Sequence, residues 1–360
     1  MQQYLLVADR RFLKHALGEL ADIAESARKI NQRYIGASLT LVSLESEPQA
    51  LLHRIRQARP TFIYGVIPVA EVFDGLGEDA TVLTAHLSKL LDSSETFRIE
   101  VIKVGTTIEP NAKSIEVSIG KPLEEAGYKP DLSGPDVIVY LVLERSRAII
   151  GLAHRADLYD SVIDHFRLEN RATNRVNRAE TKLKEAFDVF GLLDKQLGIC
   201  LDIGAAPGGW TDFLAKRGSK VVAVDKAQLD YGKITGKKIV VEEFKRESKE
   251  APDMTNTDVL HLKYNIRSIS ELPFAGPTFD LVAIDINTEP LKSAAIAVEA
   301  AALLKDGGYL IMAVKLQDAR DIKIIREAEK TLSKVYSEVR ANKLHHNRLE
   351  VTLFGRKAAD

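Results

Sequence analysis

Apolar and polar positions alternate along the first 75 residues in a way that predicts strand, helix, strand, helix. YLLVAD is followed by the 3.6-period run FLKHALGELADIAESARKI, then ASLTLVSLE, then PQALLHRIRQARP, with FIYGVIPVAEV behind. Near Asp92-Ser93-Ser94 the pattern restarts with FRIEVIKVG, which has period two, and NAKSIEVSIGKPLEEAG, a helical period that stops at Gly127. The turn residues of KPDLSGPD then introduce VIVYLVLE and RAIIGLAH, two apolar runs expected to pair in one sheet. From His154 to about Asn177 the chain turns polar and basic, as a linker does. Beyond it GICLDIG, KVVAVD, VLHLKY, FDLVAIDI and GYLIMAVKL are apolar strands separated by room for crossover helices, the rhythm of a doubly wound parallel sheet. LKSAAIAVEAAALLKDGG reads as a helix closed by its Gly-Gly pair, and YSEVRANKL and EVTLFGRK as an antiparallel pair at the sheet edge.

With 360 residues the chain exceeds what one core supports, so two or three domains are expected. Hydrophobic residues at 45% and charged residues at 28% are the balance of a globular protein rather than a disordered one. The net charge of -1 means that any nucleic-acid contact must come from local clusters of basic residues. A lone cysteine excludes an internal disulfide and a cysteine-rich zinc site. The opening MQQYLLVADRR does not resemble a secretion signal, and no apolar run reaches the length of a membrane span. A soluble, cytoplasmic protein is expected.

The sharpest chemical signal is LDIGAAPGGW, joining a buried strand to a helix through Gly204, Ala205, Ala206, Pro207, Gly208, Gly209 and Trp210. Glycines at such a junction let a ligand approach the backbone. The spacing is not the G-x-G-x-x-G of dinucleotide sites, and Pro207 removes a donor that a pyrophosphate would use. S-adenosylmethionine, an adenosine and an amino acid without phosphate, fits better. Asp225, ending the next strand, is suited to accept from ribose hydroxyls. The alternative is a tight turn that holds no ligand.

From about Asn177 to Lys357 the chain resembles the FtsJ-like Rossmann-fold RNA ribose 2′-O-methyltransferases. NRAETKLKEAF, FDLVAID, GYLIMAVKL and NRLEVTLFGR match that family's motifs in order, and TKLKEAF, APGGWT and LHHNRLEVT look most like its RlmM-type branch, which modifies large-subunit ribosomal RNA. The resemblance implies a catalytic Lys182, Asp285, Lys315 and Glu350, with Lys315 as base, Lys182 and Asp285 steering the ribose and Glu350 orienting the cluster. The residue types suit the task. Methylating a ribose hydroxyl is an in-line displacement that requires the hydroxyl to be positioned and its proton removed, and a lysine does this only when neutral. Asp285 and Lys315 fall near the carboxyl ends of two expected parallel strands, where ligands sit in open α/β sheets. Lys182 lies one turn into a helix with a core stripe at Leu183, Ala186, Phe187 and Phe190, and Asn177 and Glu180 form a possible capping box. The family pattern departs at Asn265, where an aspartate commonly meets the adenine amino group, and an asparagine carbonyl can accept the same bond. The resemblance also implies that Asp285 contacts the cofactor.

Residues 97–154 resemble a THUMP domain, and the preceding module its ferredoxin-like companion. A protein-interaction domain is the alternative for that composition. The expected organisation is therefore α/β: a ferredoxin-like module at 1–80, a THUMP-like RNA-binding domain at 81–155, a basic linker at 156–176, and a doubly wound Rossmann-like methyltransferase sheet at 177–360. Between His165 and Lys184 four arginines and two lysines face two glutamates. Arg171, Arg175, Arg178 and Lys182 would share one face of a continuous helix, where phosphates could track them, unless the helix starts only at Asn177. Lys343, His346 and Arg348, beside Glu350, are further candidates to grip the RNA backbone, whereas His345-His346 lacks a third ligand for a metal. The expected partner is structured RNA, ribosomal or transfer, and neither DNA nor a membrane. The competing readings are an NAD-dependent dehydrogenase, which the glycine spacing disfavours, and a non-catalytic RNA-binding or assembly protein.

Overall fold

A computed structural model describes residues 1–25, 30–74, 80–105, 111–144, 147–158, 178–234, 236–243 and 252–359. The chain divides into two compact units, Met1–Thr173 and Asn174–Asp360. Among the described residues no helix is long and apolar enough to cross a membrane.

In the first unit β1 (Gln2–Val7), β2 (Asn31–Gly36), β3 (Leu39–Leu44), β4 (Gly65–Asp74), β5 (Thr96–Lys103), β6 (Lys129–Pro130), β7 (Val137–Glu144) and β8 (Arg147–His154) form one sheet. Their order is β2-β3-β1-β4-β8-β7-β5-β6. Among the described residues four α-helices accompany them: α1 (Leu13–Ile23), α2 (Pro48–Ala58), α3 (Ala80–Leu90) and α4 (Ala112–Glu125). The boundary expected near residue 80 lies just beyond β4, a strand that both halves share. Its start pairs with β1 from Gly65 to Pro68, and its remainder pairs with β8 from Val69 to Asp74, with a register shift between Val69 and Glu71. A strand that changes partners at such an irregularity turns a corner in the sheet. One apolar cluster accordingly joins Leu5, Val7, Leu39 and Leu41 to Ile138, Tyr140, Val142 and Ile149. β2, at one end of the strand order, meets the other half of the sheet: Arg33 on β2 pairs with Glu144 on β7 at 2.6 Å, and a side chain on Gly36 would strike Val104 just after β5. On the opposite face α3 and α4 cover Ile99, Val101, Val139 and Leu141.

Two expectations change here. The first helix stops at Ile23, and NQRYIG, read as following a long helix, is strand β2 paired antiparallel with β3. β5 carries charge into the interior as well: Arg98 and Glu100 are buried and ion-paired at 2.8 Å on the side opposite Ile99 and Val101.

The second unit begins with α5 (Arg178–Val189), followed by β9 (Ile199–Ile203), α6 (Gly209–Lys216), β10 (Lys220–Val224), β11 (Ile239–Glu243), β12 (Val259–Lys263), β13 (Phe279–Ile284), α7 (Pro290–Ala300), β14 (Leu304–Lys315), α8 (Ile322–Leu332), β15 (Glu338–Asn342) and β16 (Glu350–Arg356). The strand order is β11-β12-β10-β9-β13-β14-β16-β15. All neighbours from β11 to β14 are parallel, and β16 and β15 add antiparallel at the edge. From β9 the chain winds outward through β10, and from β13 outward the other way, so the order reverses between β9 and β13. Ligands of such sheets collect above the carboxyl ends at that reversal. Gly307-Gly308 is not the stop of α7. The helix ends at Ala300, and the glycines lie within β14, where the pairing with β13 jumps from Phe279↔Leu304 to Leu281↔Tyr309. Gly308 is required there because a side chain would meet the Lys305 carbonyl at 2.8 Å.

Removing one partner of a buried ion pair leaves the other charge desolvated, at a cost of about 3–5 kcal/mol. Arg98→Ala should lower the stability of the first unit by an amount of that order in urea unfolding, and Arg98→Met with Glu100→Leu should recover most of it. Equal stability of wild type and Arg98→Ala would contradict this account.

Candidate active site

β9 delivers the glycine loop to the reversal point. Gly204 adopts φ +81°, and a Cβ there would lie 2.6 Å from the Asp285 carbonyl oxygen. Its N–H donates to the Val224 carbonyl at 2.9 Å, tying the loop to the end of β10. Gly208, at φ +113°, turns the chain into α6. Asp225 follows β10, and its two carboxylate oxygens accept the N–H groups of Ala206 at 3.0 Å and Ala227 at 2.8 Å.

A cleft of about 870 Å³ opens at this edge, lined by residues that include Gly204, Ala206, Asp225, Asn265, Asp285 and Lys315. Of the other loop residues named from sequence, Ala205, Gly208, Gly209 and Trp210 are buried and Pro207 is exposed.

Asp285 is the first residue beyond β13, and Lys315 and Glu350 are register partners across the antiparallel β14–β16 pair. α5 supplies Lys182. The four side chains meet. Lys182 Nζ donates to Asp285 Oδ2 at 2.8 Å and Glu350 Oε2 at 3.3 Å, and Lys315 Nζ lies 3.1 Å from Asp285 Oδ1. The Lys182 ammonium also sits 5.3 Å from the centre of the Trp210 ring, a cation–π contact. Only 8% of the Lys182 side chain is exposed, against 34% for Lys315. Lys182 is therefore enclosed, while Lys315 reaches the cleft.

The basic candidates fare differently. Arg171 and Arg175, with the rest of residues 159–176 of the expected linker and the capping residue Asn177, lie outside the described residues; Arg178 opens α5. Glu180 pairs with Lys216 at 3.3 Å. Lys343 is not available to RNA: it is fully buried, and its ammonium donates to the Asn347 carbonyl at 2.8 Å and the Leu344 carbonyl at 3.2 Å, closing the β15–β16 connection on itself. His346 is partly exposed with Nδ1 on Glu185 at 2.8 Å, and Arg348 is exposed.

Two acids not singled out from sequence shape the site. Glu185, one turn after Lys182, accepts the backbone N–H groups of His345 at 2.5 Å and His346 at 2.9 Å, so α5 grips the segment leading to Glu350. Asp202 on β9 is fully buried and accepts from the Thr211 hydroxyl at 2.7 Å. Burial pushes its carboxyl up to about 7; the Thr211 bond opposes this, and the charges of Asp285 and Asp225 reinforce it. The clue in both cases is an acid inside an apolar run, CLDIG and LKEAF.

Residues 175–343 match the family model of FtsJ-like methyltransferase. Among curated proteins the chain is 27% identical over 169 residues to an uncharacterized protein of Methanocaldococcus jannaschii, covering 47% of this chain and 41% of that one. It is 27% identical over 248 residues to ribosomal RNA large subunit methyltransferase M of Pseudomonas entomophila, covering 62% of this chain and 66% of that protein. The chain thus spans less than two thirds of either relative. Among solved structures, TrmN from Thermus thermophilus aligns over 98% of this chain and 99% of its own with a TM-score of 0.38 and 14% identity.

Because the folded protein retains a proton on Asp202 to about pH 7 and the unfolded chain releases it near 3.8, this residue lowers stability as pH rises between those values. Asp202→Asn should therefore gain stability relative to wild type across that window, by up to about 4 kcal/mol. A stability difference between the two proteins that stays flat from pH 4 to pH 7 would refute the buried-acid assignment.

Proposed function

We propose that the second unit, which carries an FtsJ-like methyltransferase domain, transfers a methyl group from S-adenosylmethionine to a ribose 2′-hydroxyl of structured RNA. The observation that carries the reading is the Asp285 carboxylate, held between the ammonium groups of Lys182 and Lys315 at the mouth of the cleft beside the glycine loop. The cleft suits this cofactor. Asp225 stands at its edge with both oxygens oriented by backbone N–H groups, and Gly204 lets the loop bend close over the Asp285 carbonyl, so that loop and acid border the same cleft. When bound, S-adenosylmethionine supplies a sulfonium methyl group, an electrophilic carbon.

The rest of the chemistry belongs to the chain. Asp225 accepts the adenosine hydroxyls, and Asn265, which lines the same cleft, offers a carbonyl to the adenine amino group. Lys182, engaged by both carboxylates and by the Trp210 ring, is an orienting group rather than a mobile one. Lys315 has one carboxylate contact and a third of its side chain open toward the cleft, so in its neutral form, after its own proton has passed to solvent, it is the amine able to reach the RNA hydroxyl and remove its proton. Asp285 steers both lysines, and Glu350 is a second acceptor for Lys182 at 3.3 Å. The arrangement contributes proximity and general-base catalysis.

Ribosomal RNA is the favoured substrate because the Pseudomonas entomophila relative is named for it; transfer RNA is the alternative. The first unit would act as the RNA-binding arm, in keeping with its resemblance to ferredoxin-like and THUMP modules. The basic segment at 156–176, with Arg171 and Arg175, would then follow the phosphate backbone.

Lys315→Ala tests the reading. Methyl transfer from labelled S-adenosylmethionine to RNA should fall by about 10²–10⁴-fold, the usual contribution of a general base, while cofactor affinity stays within about threefold. Unchanged turnover removes Lys315 as the base. Wild-type protein that binds RNA and cofactor yet transfers no methyl group would instead support a non-catalytic RNA-binding role. Mapping ribose methylation across RNA from cells with and without the protein then identifies the target.

A further inference from the structure

We infer that Tyr231 and His261 are positioning residues for the methyl donor, closing a ring of hydrogen bonds that holds Asp225 ready for the ribose hydroxyls. The inference rests on the reading of Asp225 given above. It begins with a histidine in an unusual location. His261 is fully buried in the middle of β12, within the apolar run VLHLK, where a polar ring is tolerated only with its nitrogens satisfied. Both have partners: Nε2 lies 3.1 Å from the Asp225 carbonyl oxygen, and Nδ1 lies 2.7 Å from the Tyr231 hydroxyl.

The partners determine the protons. A carbonyl oxygen only accepts, so Nε2 carries the hydrogen and donates to Asp225. In the neutral ring Nδ1 then accepts, and the Tyr231 O–H donates to it. Burial pushes the His261 imidazole below its ordinary value, which favours that neutral form. The hydroxyl and the two ring nitrogens thus form a directed chain from Tyr231 to the backbone of Asp225.

That chain returns to its origin. Next to Tyr231, the Asp230 N–H donates to the Pro207 carbonyl at 2.8 Å, inside the glycine loop. Beside Pro207, the Ala206 N–H donates to Asp225 Oδ2 at 3.0 Å. The circuit runs from Ala206 to Asp225, through His261 to Tyr231, and back through Asp230 to Pro207. A side chain on Gly208 would come within van der Waals range of Ile234 and Leu229 of the same segment, so the segment lies close to the loop. Glycines make the loop compliant, and a compliant loop cannot by itself fix the carboxylate bonded to Ala206. The Tyr231–His261 link is the part of the circuit built from rigid rings. Neither residue needs to touch the ligand.

Tyr231→Phe removes one hydroxyl and preserves the ring, and His261→Phe removes both ring donors and acceptors. In titration calorimetry of the full chain with S-adenosylmethionine, Tyr231→Phe should bind about three- to tenfold more weakly, the range of one hydrogen bond in a network. His261→Phe should bind at least about tenfold more weakly. The double variant should be no weaker than His261→Phe, because Tyr231 acts through the imidazole. In Tyr231→Phe the KM for the cofactor should rise by the same factor while kcat at saturating cofactor stays within about twofold. A purely structural role would lower the melting temperature and leave affinity and KM in place, and that outcome overturns the inference. So does full additivity of the two substitutions. Asp225→Ala separates the two levels of the argument. If it binds S-adenosylmethionine as wild type does, the assignment of Asp225 has failed and the inference falls with it. If it loses affinity while Tyr231→Phe and His261→Phe keep theirs, Asp225 stands and only the positioning role is overturned.

Discussion

Gly204 and Asp285 share a space with no room for a side chain on the former, and the site depends on that contact. Parallel pairing of β9 with β13 brings the two strand ends level, in the register Ile203↔Ile284. The glycine then lets the loop bend directly over the Asp285 carbonyl. A loop shaped to receive a ligand and an acid able to organise two lysines are thereby brought into contact, although 81 positions separate them in sequence. Any larger residue at 204 would push apart the two halves of the site before affecting a ligand.

Electrostatics explains the rest of the arrangement. A lysine as enclosed as Lys182 needs its charge matched, and one carboxylate shared with Lys315 would match it poorly. Glu350 supplies the second, because the antiparallel β14–β16 pair sets it directly across from Lys315. The edge hairpin is therefore part of the site and not an appendage of the sheet. Its geometry is secured from two directions: Glu185 grips the His345-His346 backbone from α5, and Lys343 closes the connection from inside.

Much of this was legible in the order of the residues. Apolar runs with room for crossover helices marked the parallel sheet, and the Lys182, Asp285, Lys315 and Glu350 positions were readable because their residue types recur in a motif order. Other features were not legible, for identifiable physical reasons. NQRYIG is mostly exposed on an edge strand, so it has no apolar alternation to distinguish it from the end of a helix. The Gly307-Gly308 pair has the composition of a helix stop, and only the jump in pairing with β13 reveals it as an irregularity within a strand. The corner in β4 depends on which strands lie on either side, information held in contacts between distant segments.

The hardest residues to read are the charged and polar ones, since composition alone treats each as a surface group. Lys343 looks like a phosphate contact and is instead enclosed by the carbonyls it bonds, whereas His261 looks like core and connects Tyr231 to Asp225 at the cleft. What separates them is how completely their hydrogen-bonding capacity is taken up by the fold and where the bonded partner lies. Arg98 and Glu100 meet each other inside the first unit, and Lys343 meets the backbone beside it, so these charges are satisfied within the fold. Lys315 keeps a third of its side chain open at a cleft while Asp285 holds its ammonium end. A charge anchored at one point and open at another can act on something that arrives from outside, and the role proposed for Lys315 rests on that difference.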